Sequence, residues 1–407
     1  MPKWVLKSLP FMVSLLCTFF IYRLHMLESM DSMLNENNSI ISNGFLTSQI
    51  KYHEEFAPFA RRPLTSWLIE GTAKALDIKL GYSFILVNFF FLFLSGLLVF
   101  VVSRKIGAAK SQGLLNMAAY FLSYSVLFSF FPPVFSYDEP VQYCCILLAI
   151  LALLRQKWLL YIPLFTLALL ARETSVLLLP GLVYIFGRAP NSTSTAPFGF
   201  DFKNSGKIIL PVLFYMIFLA IYLSSTHSWI VTQGELSQRF SCFLENFENE
   251  KNTIESITSF FMAVGAFLYF AIFSLKSFKL TATGKKYLQA FLLTLAINTP
   301  IVFLTAFARE SRLFALPLFF IWPLFAQVFQ GQFSNTNLIE VFRQIFKRKD
   351  YILSFLLFNV LNYLYCFLYY KKLGLGENNY FAEYLFIMLL LISLHCMTHT
   401  FLMKKKI

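Results

Sequence analysis

Leu169-Leu170-Ala171-Arg172-Glu173-Thr174-Ser175 interrupts an otherwise apolar run from Trp158 to Phe186. A second stretch repeats the pattern: Phe307-Ala308-Arg309-Glu310-Ser311. In both, Ala-Arg-Glu is followed by Thr or Ser, and a proline stands eight residues after the arginine, Pro180 and Pro317. A charge in a segment crossing hydrocarbon costs roughly 2.5–3.5 kcal/mol. Two Arg-Glu pairs in such surroundings need a purpose. What it is depends on whether each run is one tilted helix or a hairpin that turns at its charges.

The rest of the chain answers in the language of membranes. Its 407 residues are 57% hydrophobic and only 14% charged, with a mean hydropathy of +0.64. Apolar blocks alternate with short charged loops, the pattern of an all-α polytopic bundle rather than a soluble domain. The whole of 1–407 reads as one integral membrane domain. The net charge of +13 does not indicate nucleic acid, because the basic residues sit between apolar blocks and serve as a topology signal. The six cysteines form no disulfide framework and no zinc spacing. His395 and His399 share a helix face, but Cys396 stands where a zinc-protease helix would place glutamate.

The apolar blocks predict about twelve spans, near 10–22, 82–103, 112–131, 140–154, 158–171, 174–187, 208–225, 256–275, 287–307, 313–329, 351–370 and 381–402. Residues 23–80 form a long first extracytoplasmic loop, in which 63–76 reads as a helix lying on the membrane surface. Residues 188–207, rich in Ser and Thr, read as a flexible cytoplasmic loop. With hairpins at Arg172 and Arg309, the loops at 104–110, 276–286 and 343–349 share a side with Lys3, Lys7 and Lys404-Lys405-Lys406. Only Asp201, Glu340 and Asp350 accompany the basic residues there. The bias puts both termini in the cytoplasm. Read instead as one long helix, 158–186 would invert every later loop and turn the Lys-rich ones outward. Each arm of the first hairpin then has about 13 residues, or ~20 Å of helix against a ~30 Å hydrocarbon core. Arg172 should accordingly lie at the bottom of a protein-lined dent.

Four outward segments share that side. The first loop brings His53-Glu54-Glu55 and Arg61-Arg62-Pro63-Leu64; the next brings Ser136-Tyr137-Asp138-Glu139-Pro140; the two hairpins bring Arg172, Glu173, Arg309, Glu310 and Arg312. Arginine's planar fork grips phosphate in two places, and a nearby carboxylate can deprotonate a hydroxyl. The candidate catalytic acids are Asp138, Glu139, Glu54 and Glu55. The candidate phosphate ligands are Arg172, Arg309, Arg312 and Arg62, with Glu173, Glu310 and Tyr137 in support. No organic cofactor is implied, and a divalent cation, Mg or Mn, is compatible with the carboxylates. Plainer roles compete: Arg172-Glu173 as a structural ion pair, Asp138-Glu139-Pro140 as a helix start, and Arg61-Arg62 as headgroup contacts.

These segments resemble those of the GT-C-type glycosyltransferases, polytopic enzymes that use polyprenyl- or dolichyl-phosphate sugars. The likeness rests on Glu54-Glu55 with Arg62-Pro63-Leu64, on Tyr137-Asp138-Glu139, and on Arg172-Glu173-Thr174 followed by Leu-rich sequence to Pro180. It departs from the family after the first span, where an Asp-containing acidic pair is usual and the nearest acids are Glu28, Asp31 and Glu36. The resemblance implies sugar transfer from a lipid-phosphate donor in the bilayer to an acceptor hydroxyl at the extracytoplasmic face. The membrane would be a bacterial cytoplasmic membrane, or the endoplasmic reticulum in a eukaryote. An O-antigen-type polymerase or ligase, and a transporter or flippase of a lipid-linked or anionic substrate, are the alternatives. Transporters favour repeated halves and broken helices at the midplane, whereas here the charges gather toward one face.

Overall fold

The computed structural model describes residues 3–25, 43–56, 59, 61–131, 136–187, 202–225, 239–275, 280–333, 338–375 and 380–405. Among these residues there is no strand. Seven of the described helices are long and apolar enough to cross a membrane: Ser8–His25, Leu80–Lys105, Asn204–Ser225, Glu250–Leu275, Ala282–Thr305, Lys349–Tyr370 and Phe381–Phe401. Four shorter apolar helices, Glu139–Leu154, Trp158–Ala171, Glu173–Phe186 and Leu318–Gly331, occupy further positions where the sequence predicts spans.

The span expected over 112–131 is not one helix. The helix Lys110–Phe121 stops, and a separate turn of helix follows at Tyr124–Leu127. Serines end it by bonding back to the chain, which competes with helix hydrogen bonds. Ser123 Oγ donates to Ala119 O at 2.7 Å and accepts from Trp322 Nε1 at 2.7 Å. Ser129 Oγ donates to Ser125 O and Val126 O.

The first loop holds more order than the sequence suggests. A helix forms at Asn43–Glu55 as well as at Pro63–Leu76. The second begins with proline at its first turn, where no N–H is needed. It ends on Asp77 in the left-handed region, whose N–H donates to Ala73 O. Thr65, Ser66, Ile69 and Ala73 form its buried face, and Trp67 is exposed. Glu28, Asp31 and Glu36 lie outside the described residues, as does most of the loop 188–207. Its last six residues already belong to the helix Phe202–Ser225.

The stretch Trp158 to Phe186 is a hairpin. A single helix would hold Tyr161 and Gly187 about 39 Å apart at 1.5 Å per residue. Instead both meet the first turns of helix Phe202–Ser225. Tyr161 Oη donates to Ile208 O at 2.8 Å, and a Cβ on Gly187 would come within 2.9 Å of Ser205 Oγ. The fold at the tip is local. Helix Trp158–Ala171 stops at Arg172, which is extended at φ −160° and ψ 118°, and a 3-10 turn Glu173–Leu178 leads into the return arm Leu179–Phe186.

The second hairpin is built alike. Helix Ala282–Thr305 ends on the extended Ala306, a 3-10 turn covers Ser311–Phe314, and the chain returns until Leu324 and Gln327 lie beside Gly284. The two hairpins pack on each other at Gly181, where a Cβ would overlap the ring of Phe320 at 2.6 Å. Both tips also reach the same residue, Glu139, through Arg172 and Arg312, so they lie at the same end of the bundle.

Candidate functional site

At that end the hairpin tips meet the loop ahead of helix Glu139–Leu154 and the first turn of Pro63–Leu76. Arg62, Asp138, Glu139 and Arg172 are all buried, none more than 7% exposed. Charges this deep must pair or shift, and here they pair across elements. Arg62 grips Glu173 with Nε and Nη2, the latter at 2.6 Å from Oε1. Arg172 pairs through Nη1 with Glu139 Oε1, and Arg312 Nε stands 3.4 Å from that same oxygen. Arg312 also donates from Nη2 to Glu310 at 2.9 Å. Two arginines thus converge on one oxygen of Glu139.

This wiring differs from the ion pair within Arg172-Glu173 that the sequence suggests. The extended conformation of Arg172 sends consecutive side chains to different neighbours, so Arg172 reaches Glu139 while Glu173 reaches Arg62. The two copies of the Ala-Arg-Glu pattern also part company. In the second hairpin Arg312, not Arg309, joins the cluster. Arg309 is exposed, lies 4.8 Å over the Phe307 ring, and lines a small polar cavity with Glu255 and Asn246.

Asp138 is the odd member. It occupies the N-cap of helix Glu139–Leu154, yet its side chain accepts no capping hydrogen bond. Its Oδ1 is buried without a partner. Burial raises its pKa to about 6, against the pull of Arg62 and Arg172 and an approach by the Thr65 hydroxyl. A carboxyl poised there is ionised at neutral pH and still a competent proton acceptor. Tyr137, next to it, bonds Ser66 Oγ at 3.0 Å and stacks on His53 with ring centroids 3.6 Å apart.

Glu54 and Glu55 are exposed and are not brought into the cluster. Glu54 instead meets Glu70, and burial with that like charge raises its pKa to about 6. From that loop the residue facing the cluster is His53, which the sequence reading passed over for the acids beside it. Its pKa is lowered to about 3 by burial and by Arg62, Arg312 and Arg172, so it stays neutral. The signal was present: Leu46, Ile50 and His53 recur at helical spacing, and the first two are buried. Among the described residues no three His, Cys, Asp or Glu side chains group together.

The tip carrying Arg172 is itself braced. Ser175 Oγ donates toward Arg172 O (2.8 Å) and Ala168 O (3.0 Å), and accepts from Gln142 Nε2 at 2.8 Å. Ser175→Ala leaves the buried Gln142 amide without its acceptor. We expect a loss of about 1–3 kcal/mol, read as a lower thermal midpoint of the purified protein; an unchanged midpoint would show that this brace carries no strain.

Comparison with protein-family models, with curated proteins and with solved structures returned no match for the chain. The class that fold and site define is therefore a protein whose described residues are helical, seven of the described helices being long and apolar enough to cross a membrane, with a buried cluster of arginines and carboxylates at one end of the bundle.

Proposed function

We propose that the chain is a membrane glycosyltransferase of GT-C type, moving a sugar from a polyprenyl-phosphate-class lipid to an acceptor hydroxyl at the extracytoplasmic face. The observation that carries this reading is the buried Asp138 carboxyl, uncapping and with an unpartnered oxygen, set among Arg62, Arg172 and Arg312. A lipid-phosphate donor keeps its chain in the bilayer and needs cations at the membrane boundary for its head. Arg172 and Arg312 hold the donor phosphate and stabilise the charge it gathers as it leaves. Asp138 takes the proton from the acceptor hydroxyl as the acceptor oxygen bonds to the sugar carbon. The electron pair of the broken carbon–oxygen bond stays on the phosphate. Glu139 and Glu173 set the orientation of the arginines.

In this reading the short helices complete about twelve membrane segments, the hairpins opening a dent from the outer side. The helix Pro63–Leu76 lies on the outer surface with Trp67 toward lipid, and both termini face the cytoplasm. The membrane is the cytoplasmic membrane of a bacterium or the endoplasmic reticulum of a eukaryote. Purified protein incubated with a panel of radiolabelled polyprenyl-phosphate sugars should transfer or slowly hydrolyse one of them; movement of intact lipid across vesicles with no transfer would favour a flippase instead. The topology has its own check. Cysteines introduced at Lys110 and Glu248 in a cysteine-free background should label from opposite sides, and labelling of both from one side would overturn the hairpin topology.

A further inference from the structure

The segment around Ser241–Asn246 carries apolar side chains that the other described residues leave largely exposed. Phe240, Phe243, Leu244 and Phe247 are 64%, 43%, 71% and 39% exposed. Their spacing of three, four and seven residues puts them on one helical face, with Glu245 outside that face and Glu248, also exposed, just past the C-cap Phe247. A patch of this kind on a soluble surface marks a binding site. Here its surroundings name the occupant. The Phe247 ring lies 5.8 Å from that of Phe303, on helix Ala282–Thr305, whose Ile301 and Leu304 are also exposed. The patch continues the apolar belt of a membrane-length helix at the end where the arginine cluster lies.

We propose that Arg239 to Phe247 is an in-plane anchor that buries Phe240, Phe243, Leu244 and Phe247 in the outer leaflet at the headgroup boundary. The same segment grips the second hairpin through one side chain. Asn246 is buried; its Nδ2 donates to Phe303 O (3.1 Å) and Ala306 O (2.8 Å), and its Oδ1 accepts from Ala308 N at 2.9 Å. Those bonds satisfy the end of the long helix and fix the turn that leads to Arg312. The bilayer surface thereby sets the height at which Arg312 is held, whatever the substrate of the cluster.

The test uses the full chain in lipid nanodiscs. Wild-type protein photolabelled with a membrane-partitioned diazirine should carry label on the 240–247 peptide, independent of the protein-to-lipid ratio. Single-cysteine variants at 244 and 248, bearing a fluorophore, should divide: shallow doxyl-lipids quench at 244, aqueous iodide quenches at 248. Equal iodide quenching at both positions overturns the proposal. So does diazirine labelling of that peptide that falls as copies per disc increase, because a second copy would then be covering the patch.

Discussion

Asp138→Asn should lower turnover by about 10²–10⁴-fold, the usual worth of a positioned general base, while folded yield stays intact. Asn matches the shape of Asp and caps helices about as well, so a variant of a mere cap would keep full activity. The geometry already weakens that reading, since the Asp138 side chain makes no capping bond. The pH dependence carries a sign. A base must be ionised, and this carboxyl titrates at about 6. The rate constant kcat/KM should therefore hold above that value and fall about tenfold per unit below it, and Asp138→Asn should abolish that limb along with the activity. Stability runs the other way. A carboxyl whose folded pKa is raised favours folding below its unfolded value and loses that contribution as pH rises through about 6. At neutral pH the ionised group is a burden, so Asp138→Asn should melt no lower than the parent. Retained turnover, or an acidic limb that persists in the variant, removes Asp138 from the chemistry.

How much of this was legible beforehand differs by residue. Membrane-length helices such as Leu80–Lys105 and Phe381–Phe401 are plain in the sequence because twenty apolar residues have few other uses. The hairpin at Arg172 was legible through charge bias, a property of the whole chain rather than of the motif. What local pattern could not supply was partner choice. Arg172-Glu173 are adjacent and opposite in charge, which invites pairing them. The extended backbone at Arg172 sends them apart, and only the packing of helix Glu139–Leu154 and the first loop decides where each goes. The Ala-Arg-Glu echo misled in the same way. It marks two tips of similar build, but the reach into the cluster comes from Arg172 in one and from Arg312 in the other. Acids drew attention to Glu54 and Glu55 by their charge, whereas periodicity with Leu46 and Ile50 would have selected His53. The broken helix after Phe121 is a case where hydropathy overrode a cluster of serines whose back-bonding stops the helix.

Arg172→Lys should fail nearly as badly as Arg172→Ala in turnover, a loss of about 10²–10³-fold, or ~2.7–4 kcal/mol of transition-state stabilisation. Lysine keeps the charge and loses the planar fork, so the result separates oriented phosphate binding from simple neutralisation of Glu139. The two substitutions should differ in folding instead. Removing one partner of a buried ion pair costs ~3–5 kcal/mol because the other charge is left behind, and Glu139 is 2% exposed. Arg312 Nε, 3.4 Å from Glu139 Oε1, offsets part of that cost, so Arg172→Ala should lose yield without vanishing. A double variant, Arg172→Ala with Glu139→Gln, removes the orphaned charge and should recover yield while turnover stays low. The measurement is turnover per folded molecule across these three variants. A structural ion pair would give the opposite pattern: lysine would serve in place of arginine, and the double variant would regain activity together with its fold.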